Sequence, residues 1–199
     1  MIYLASTSPR RKALIKKAGI RFRILRPDYE EASDLKGPPS RIVRIHAVKK
    51  AESCAEQVRN GTLLAADTIV YLKGEIIGKP KNRRDARRIL KKLQGTRHSV
   101  YTGVAILKIV SGRIVRKNVF FEKTVIRLKA FTDGEIKSYL KKVNPLDKAG
   151  GYAIQSPHGG IVEEVKGLFS NAVGLPIEKV LRFLAVSKSS GPGEIMVSC

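Results

Sequence analysis

Two runs rich in β-branched residues near the middle of the chain restrict the possible folds most strongly. They cover residues 99–110 and 113–121, and only Ser111 and Gly112 separate them. Runs of this kind, joined by two turn-forming residues, predict an antiparallel β-hairpin. Because neighbouring parallel strands need long crossover connections, this hairpin argues against a purely parallel sheet.

Strand and helix signals alternate along the rest of the chain. Strands are predicted at residues 2–5, 22–25, 62–71, 75–78 and 124–129. Capping residues and apolar spacing predict helices that begin near Pro9, Ser40, Asn82, Thr132 and Pro176. This order predicts a mixed α/β fold. We expect one domain with two lobes at residues 1–186, followed by a frayed tail at residues 187–199.

The charge of the chain favours polyanionic partners. Its 39 Lys and Arg residues against 17 Asp and Glu residues give a formal net charge of +22. Nucleotides and nucleic acids are both attracted by such a field. Six of the cations share one face of a predicted helix, a pattern typical of a solvated surface: Arg83, Arg84, Arg87, Arg88, Lys91 and Lys92. Aromatic residues, at 6%, do not alternate with the basic ones as base stacking requires.

Composition also indicates the cellular compartment. No apolar run approaches the roughly 20 residues of a membrane-spanning helix, and the first residues lack a secretory signal pattern. Cys54 and Cys199 lack the spacing of metal ligands and are too few for a disulfide framework. We therefore expect a cytoplasmic protein without a membrane partner.

The residues after the first predicted strand are suited to binding phosphate. Ser8 fits a helix N-cap and Pro9 fits the first helical position. The free N–H groups and the positive dipole end of that helix attract anions, and Arg10 and Arg11 add fixed charge. Taken alone, the segment is also compatible with an ordinary capped helix that carries two solvated arginines.

Asp67 interrupts an apolar strand at residues 64–70. A buried carboxylate is costly unless a cation or hydrogen bonds replace its water, so Asp67 needs a partner. Lys79 follows the next predicted strand within the sequence Gly78-Lys79-Pro80. We expect it to reach phosphates that a metal on Asp67 also touches, although a strand-end aspartate that binds loop amides remains the alternative.

A third segment, residues 147–155, combines a small-residue loop with a predicted short strand. Its last residue, Gln155, carries both a donor and an acceptor and can bind the edge of a base, whereas a plain turn is the alternative. The three histidines are too far apart in the sequence to favour a metal cluster or a catalytic triad: His46, His98 and His158.

Taken together, these segments resemble one family, the Maf-like nucleotide pyrophosphatases of the inosine-triphosphatase-like fold. The resemblance extends over residues 2–184. It depends on an ordered series of motifs: SPRR at residues 8–11, Glu31, Lys50-Ala51, ADT at 66–68, GKP at 78–80, the DKAG, Tyr and IQ residues within 147–155, and VGLP at 173–176. It implies an elongated, twisted mixed sheet flanked by helices, with two lobes around a cleft.

The resemblance also implies an activity and assigns roles to residues. The activity is the hydrolysis of dTTP, UTP or modified pyrimidine nucleotides to the monophosphate and pyrophosphate, a house-cleaning role. Asp67 is implied as the catalytic carboxylate, either a general base or mainly a metal ligand, and Glu31 as a second ligand of Mg²⁺ or Mn²⁺. The implied phosphate-binding residues are Ser8, Arg10, Arg11, Lys50 and Lys79. The implied specificity residues are Arg10, Thr68 and Gln155. A homodimer is implied as well.

Two other functions stay open at the level of the sequence. The charge of +22 is compatible with a nucleic-acid-binding protein, although scattered basic residues predict only non-specific contact. A regulatory role in cell division is associated with the family and is compatible with catalysis. A purine-selective triphosphatase of the same broad fold is disfavoured, because its glycine-rich opening differs from the SPRR and ADT motifs found here.

Overall fold

The computed structural model describes residues 1–31, 35–154 and 160–189. Its strands are β1 (Ile2–Ala5), β2 (Phe22–Leu25), β3 (Gly61–Leu72), β4 (Glu75–Ile77), β5 (Arg97–Val110), β6 (Arg113–Leu128) and β7 (Val162–Lys166). Its helices are α1 (Pro9–Lys17), α2 (Pro39–Glu52), α3 (Arg83–Leu93), α4 (Asp133–Lys142), α5 (Phe169–Val173) and α6 (Ile177–Ser189). In the described part of the chain, the seven strands form one sheet in the order β2-β1-β3-β5-β6-β7, and β4 pairs with β3. The prediction of a mixed α/β fold is confirmed.

The hairpin of β5 and β6 is longer than its sequence pattern indicates. The strand predicted separately at residues 124–129 is the end of β6, which closes at Leu128. Two polar residues interrupt the apolar pattern there without ending the strand. Glu122 pairs with Lys179 at 2.5 Å, and the Lys123 ammonium lies 5.7 Å from the centre of the Tyr101 ring. Both residues also pair with β5, Glu122 opposite Thr102 and Lys123 opposite Tyr101, so the strand continues.

Two tight turns with the same backbone pattern close the antiparallel hairpins. Lys73 (φ 46°) and Gly74 (φ 89°) join β3 to β4, while Ser111 (φ 49°) and Gly112 (φ 76°) join β5 to β6. Positive φ at both central residues is typical of the type I′ turn, whose twist matches that of paired strands. The first turn therefore determines which residues of β4 lie opposite β3.

One edge of β3 is left open between two of its neighbours. β1 pairs with β3 in parallel as far as Ala5 opposite Ala65, and β4 pairs with it antiparallel from Ile77 opposite Val70. Neither strand pairs with residues 66–69 of β3. Because β1 and β4 run in opposite directions, the segments that follow their last residues enter this gap from its two sides.

The helices cover both faces of the sheet. Side chains of successive strand residues point to opposite faces, which separates two buried clusters. On one face α2 buries Ala47 and Ala51, and on the other face α1 buries Ile15 and α6 buries Val180. A third cluster lies between α3, α4 and the far halves of β3, β5 and β6. The gap in β3 therefore lies between the part of the sheet that α1, α2 and α6 cover and the part that α3 and α4 cover.

Local capping signals were reliable guides to the helices. Asn82 accepts a hydrogen bond from the Asp85 N–H, and the capping box of Thr132 and Glu135 is complete, so both predicted N-termini are confirmed. Neither β7 nor α5 was predicted from the sequence. α6 continues to Ser189 into the predicted tail, so the last helix is longer than predicted; residues 190–199 lie outside the described part. Among the described residues, no helix has the length and apolar character needed to cross a bilayer.

Candidate active site

A cleft of about 640 Å³ opens at the gap in the edge of β3. Every predicted site residue that the structure describes lines it: Ser8, Arg10, Arg11, Glu31, Lys50, Asp67, Thr68 and Lys79. Gln155 and His158 lie outside the described residues. These predicted site residues come from the segments after β1, β2 and β4, from α2 and from β3 itself. The topology of the sheet thus brings together motifs that are far apart in the sequence.

Two carboxylates and one ammonium group form the charged centre of the cleft. Lys50 Nζ donates hydrogen bonds to Glu31 Oε1 at 2.5 Å and to Asp67 Oδ1 at 2.6 Å. Asp67 is only 3% exposed, so this cation offsets the cost of burying its charge. The partner that the sequence analysis required for Asp67 is therefore Lys50, a residue expected there to bind phosphate.

The two carboxylates differ in their surroundings. Burial raises the pKa of Glu31, but the charge and hydrogen bond of Lys50 and the charge of Lys79 outweigh it and hold this pKa below its usual value. Asp67 Oδ2 is buried and has no hydrogen-bond partner among the described residues. Since buried polar atoms are nearly always paired, this oxygen is available to a ligand, a water molecule or a cation.

The N-terminus of α1 faces the same cleft. Ser8 occupies the N-cap position and Pro9 the first turn, as predicted. The Ser8 side chain makes no capping hydrogen bond, and its N–H donates to Ser6 Oγ at 3.2 Å. The predicted N-cap position of Ser8 is therefore confirmed, although its hydroxyl does not bond the helix backbone. Ser6, Thr7 and Ser8 instead present polar groups beside the positive end of the helix dipole.

The Arg11 guanidinium is buried and held at three points. Its Nε donates to the Gly174 carbonyl at 2.8 Å, its Nη2 to Thr68 Oγ1 at 3.0 Å, and its Nη1 to Ser6 Oγ at 3.4 Å. Burial lowers the pKa of Arg11, although the nearby charge of Asp67 opposes this effect. Arg11 thus fixes the loop after β1, β3 and the segment after α5 relative to one another.

A buried polar network continues from Thr68 beneath the cleft. Thr68 Oγ1 lies 3.0 Å from Thr102 Oγ1, and Thr102 Oγ1 donates to the Asn171 carbonyl at 3.2 Å. Asn171 is fully buried, and its Nδ2 donates to the Val100 carbonyl and to Thr124 Oγ1. The sequence analysis missed Thr102 and Asn171. The available signal was a polar residue within an otherwise apolar segment, as for Asp67.

Arg10 connects two sequence motifs across the mouth of the cleft. Its Nη1 donates to Asp147 Oδ2 at 2.6 Å and its Nη2 to the Asp147 carbonyl at 2.9 Å. Lys148 Nζ lies 2.5 Å from the other carboxylate oxygen of Asp147. Burial raises the pKa of Asp147, but Lys148 and Arg10 lower it more. A phosphate group that bound Arg10 would compete with this carboxylate.

Lys79 and the basic helix α3 differ in their access to the cleft. Lys79 is exposed and lines the cleft, directly after β4. None of the residues of α3 lines it. Several cations of α3 have acidic partners on the surface, namely Arg88 with Asp85, Arg87 and Lys91 with Asp133, and Lys92 with Glu75. These ion pairs agree with the predicted solvated face.

The other end of the cleft is largely apolar. It is lined by Val70, Val100, Tyr152, Ile154 and Val173, among others. Residues 149–151 form a short 3-10 helix, and residues 152–154 belong to no strand. The short strand predicted at the end of segment 147–155 is therefore wrong as far as the structure describes it. The cleft therefore has a charged end at Asp67 and an apolar end at Tyr152.

Comparisons with known proteins give one family match and several similar proteins. The family described as Maf-like protein matches residues 1–187. A dTTP/UTP pyrophosphatase of Dictyoglomus thermophilum is 39% identical over 180 residues, which are 90% of this chain and 92% of that protein. One of Caldicellulosiruptor saccharolyticus is 42% identical over 183 residues, 90% of each chain. Among solved structures, a nucleoside-triphosphatase (dITP/XTP pyrophosphatase) of Mycobacterium abscessus matches with a TM-score of 0.42 and 15% identity, over 94% of this chain and 96% of that one.

Proposed function

Because this chain belongs to the Maf-like protein family, we propose that it is a nucleoside triphosphate pyrophosphatase that hydrolyses dTTP and UTP to the monophosphate and pyrophosphate. Relatives about 40% identical over nine-tenths of the chain are dTTP/UTP pyrophosphatases. One structural observation carries the proposal for the site. It is the buried Asp67 carboxylate in the lining of the cleft, because Lys50 holds one of its oxygens and the other has no hydrogen-bond partner among the described residues.

Asp67 and Lys50 are proposed to act on the attacking water. Hydrolysis between the α and β phosphates requires a water molecule aligned with the bond and an acceptor for its proton. Asp67 Oδ1 is held by Lys50, which leaves Oδ2 to accept that proton. Lys50 fixes the orientation of the carboxylate, and Glu31 fixes Lys50 from the other side.

The cationic groups around the gap are proposed to hold the triphosphate. The N–H groups at the start of α1 and the Ser8 hydroxyl lie on one side of the gap, and Lys79 lies on the other. Arg10 can exchange Asp147 for a phosphate oxygen. Arg11 supports the loop between β1 and α1 through its hydrogen bond to Ser6. Positive charge on both sides favours the developing charge of the leaving pyrophosphate.

The carboxylates also fit a divalent cation. Mg²⁺ and Mn²⁺ prefer oxygen ligands, and Mg²⁺ is often held by one or two carboxylates together with substrate phosphates. The unpartnered Asp67 Oδ2 and the carboxylate of Glu31 meet that requirement, and these two residues would hold the ion; with Oδ2 on the ion, Asp67 is its ligand and not the proton acceptor. When bound, the cation neutralises charge on the phosphate oxygens. Without a metal, we expect the purified protein to lose most of its turnover.

A panel of nucleoside triphosphates tests the activity. With Mg²⁺ or Mn²⁺, dTTP and UTP should yield monophosphate and pyrophosphate, whereas ATP and GTP should react slowly. Pyrophosphate and orthophosphate are measured separately. Release of orthophosphate and a diphosphate would contradict the proposed bond cleavage. No turnover of any nucleotide, combined with tight and salt-sensitive binding to DNA or RNA, would favour the nucleic-acid-binding alternative.

Lys79 should affect all triphosphates alike. Lys79 is exposed and lines the cleft, and a contact between its ammonium and phosphate carries no information about the base. Lys79→Ala should raise KM for dTTP, UTP, CTP and GTP by a similar factor, about tenfold for loss of one charge-assisted contact. Lys81→Ala removes an exposed lysine from the same loop outside the cleft and serves as the control. A large change in the ratio of substrates with Lys79→Ala would place Lys79 near the base.

The specificity roles of Arg10, Thr68 and Gln155 are part of the proposal. The Thr68 hydroxyl already bonds Arg11 and Thr102, so its influence on substrate choice would act through the placement of Arg11. Arg10 shares the mouth of the cleft with Asp147, in the loop that leads towards Gln155. Variants of these three residues should change relative kcat/KM values for dTTP, UTP, CTP and GTP.

A further inference from the structure

We propose that Tyr152 forms the wall on which the base of the nucleotide packs, and that His98 is the positioning residue that holds this wall in place. This inference rests on the proposed nucleotide pyrophosphatase function and adds to it a binding surface for the base. The observations are the hydrogen bond between His98 Nε2 and the Tyr152 hydroxyl at 2.6 Å and the place of Tyr152 in the apolar end of the cleft.

Tyr152 is packed tightly yet reaches the cleft. It is only 6% exposed and still contributes to the lining. Gly150, with φ 75°, precedes it, and a Cβ at that position would lie 3.0 Å from the Tyr152 ring and 3.2 Å from Val70. A side chain at residue 150 would therefore push the ring from its place. Glycine at this position lets the ring lie against the backbone.

His98 restricts the rotation of that ring. It is 2% exposed, its ring meets the Tyr152 ring at 80° with centres 5.4 Å apart, and burial lowers its pKa to about 4. His98 is therefore neutral at assay pH. Its Nδ1 is buried without a hydrogen-bond partner in the described part of the chain. Nε2 and the Tyr152 hydroxyl therefore share one hydrogen bond, and the tautomer of His98 sets which of the two atoms donates it.

Two backbone N–H groups fix the residues on either side of Tyr152. The Ala153 N–H donates to the Tyr139 hydroxyl of α4 at 2.9 Å. The Gly150 N–H donates to the Gly78 carbonyl at 3.0 Å, directly before Lys79. The wall is thus fixed to α4 and to the phosphate-binding segment after β4. A rigid aromatic surface of this kind suits the face of a nucleobase.

The spacing along β3 agrees with the size of a nucleotide. Val70 and Val100 are paired in register, each is 2% exposed, and both line the cleft near Tyr152. Asp67 precedes Val70 by three residues, which is roughly 10 Å along a strand, and their side chains leave opposite faces of β3, so a nucleotide that reaches both crosses the open edge of that strand. A base at Tyr152 and an α-phosphate at Asp67 would leave room for the sugar between them.

Binding measurements separate contact with the base from contact with phosphate. α,β-Imido-dUTP cannot be cleaved between its α and β phosphates, and inorganic tripolyphosphate carries no base. Tyr152→Leu should weaken binding of α,β-imido-dUTP by roughly tenfold, the scale of one stacked base. Binding of tripolyphosphate should change less than twofold. Tyr71→Leu removes an aromatic ring that does not line the cleft and is the matched control.

A double-mutant cycle tests His98. His98→Gln should weaken binding of α,β-imido-dUTP about threefold in the native background and have no further effect beside Tyr152→Phe, because His98 acts through the phenol. Equal losses for α,β-imido-dUTP and tripolyphosphate would overturn the proposal. So would altered thermal stability with unchanged binding of α,β-imido-dUTP, because His98 and Tyr152 would then only stabilise the core. Because these are affinities, they are independent of turnover. Failure of the proposed function would appear separately, in the products of the triphosphate panel.

Discussion

Asp67→Asn should reduce kcat for dTTP by roughly 100-fold or more while the protein remains folded, since this is the usual contribution of a general base. Asparagine has the shape of aspartate and can still accept a hydrogen bond from Lys50, but it can neither take a proton from water nor supply an anionic metal ligand. Kinetics with dTTP, UTP and metal, together with circular dichroism, measure both parts of the expectation.

Asp133→Asn is a suitable control for this substitution. Asp133 pairs with Arg87 and Lys91 on the exposed surface between α3 and α4, outside the cleft. It should leave kcat and KM unchanged and cost little stability, as is usual for exposed ion pairs. If Asp67→Asn also kept nearly normal turnover, Asp67 would be a structural residue and the proposed mechanism would be wrong.

Lys50→Met should lower both stability and turnover. Lys50 is the cation shared by Glu31 and Asp67, and the Lys50 and Asp67 side chains are only 12% and 4% exposed. Removing one partner of a buried ion pair costs on the order of 3 kcal/mol, because the remaining charge is left unpaired. Thermal melting and kcat measure the two losses. Lys49→Met, an exposed neighbour on α2, should produce neither.

The pH profile of Lys50→Met gives a second expectation. Lys50 holds the pKa of Glu31 below its usual value, so native Glu31 stays ionised to lower pH than a free glutamate would. Without Lys50 this pKa rises, and Glu31 takes up its proton at higher pH. The acidic limb of kcat/KM should therefore move to higher pH. An unchanged acidic limb would show that the ionisation of Glu31 does not control activity.

The elements predicted correctly are those whose signals are local. The caps of α3 and α4 involve side chains within four residues of the backbone groups that they bind. The hairpin of β5 and β6 follows from two adjacent runs and their turn. By contrast, β7 has the sequence Val-Glu-Glu-Val-Lys, and it becomes a strand by pairing with residues of β6 nearly 40 positions earlier. No local pattern indicates that partner.

The same distinction applies to the cleft. The residues of the SPRR, ADT and GKP motifs could be identified individually, because each is unusual for its place in a strand or at a helix end. The partner of Arg10 could not be identified, since it lies 137 positions away. The same holds for His98, outside these motifs, whose partner lies 54 positions away. Lys50 shows the limit most clearly. Its presence on a helix was evident, but the two carboxylates that it joins depend on the packing of α2 against β3.

The two type I′ turns have identical backbone patterns but different consequences for how the protein can evolve. The turn at Ser111 and Gly112 lies at the opposite end of β3 from Asp67, next to Arg59. An inserted residue there would lengthen a loop and disturb nothing that touches substrate. β4 pairs with β3 at only three positions, so a residue added at the turn of Lys73 and Gly74 that moved the register would shift β4 by about 3.3 Å along β3. Lys79, which follows β4 and lines the cleft, would then be displaced. Natural variation in length should therefore accumulate at the turn of Ser111 and Gly112 and be eliminated at the turn of Lys73 and Gly74.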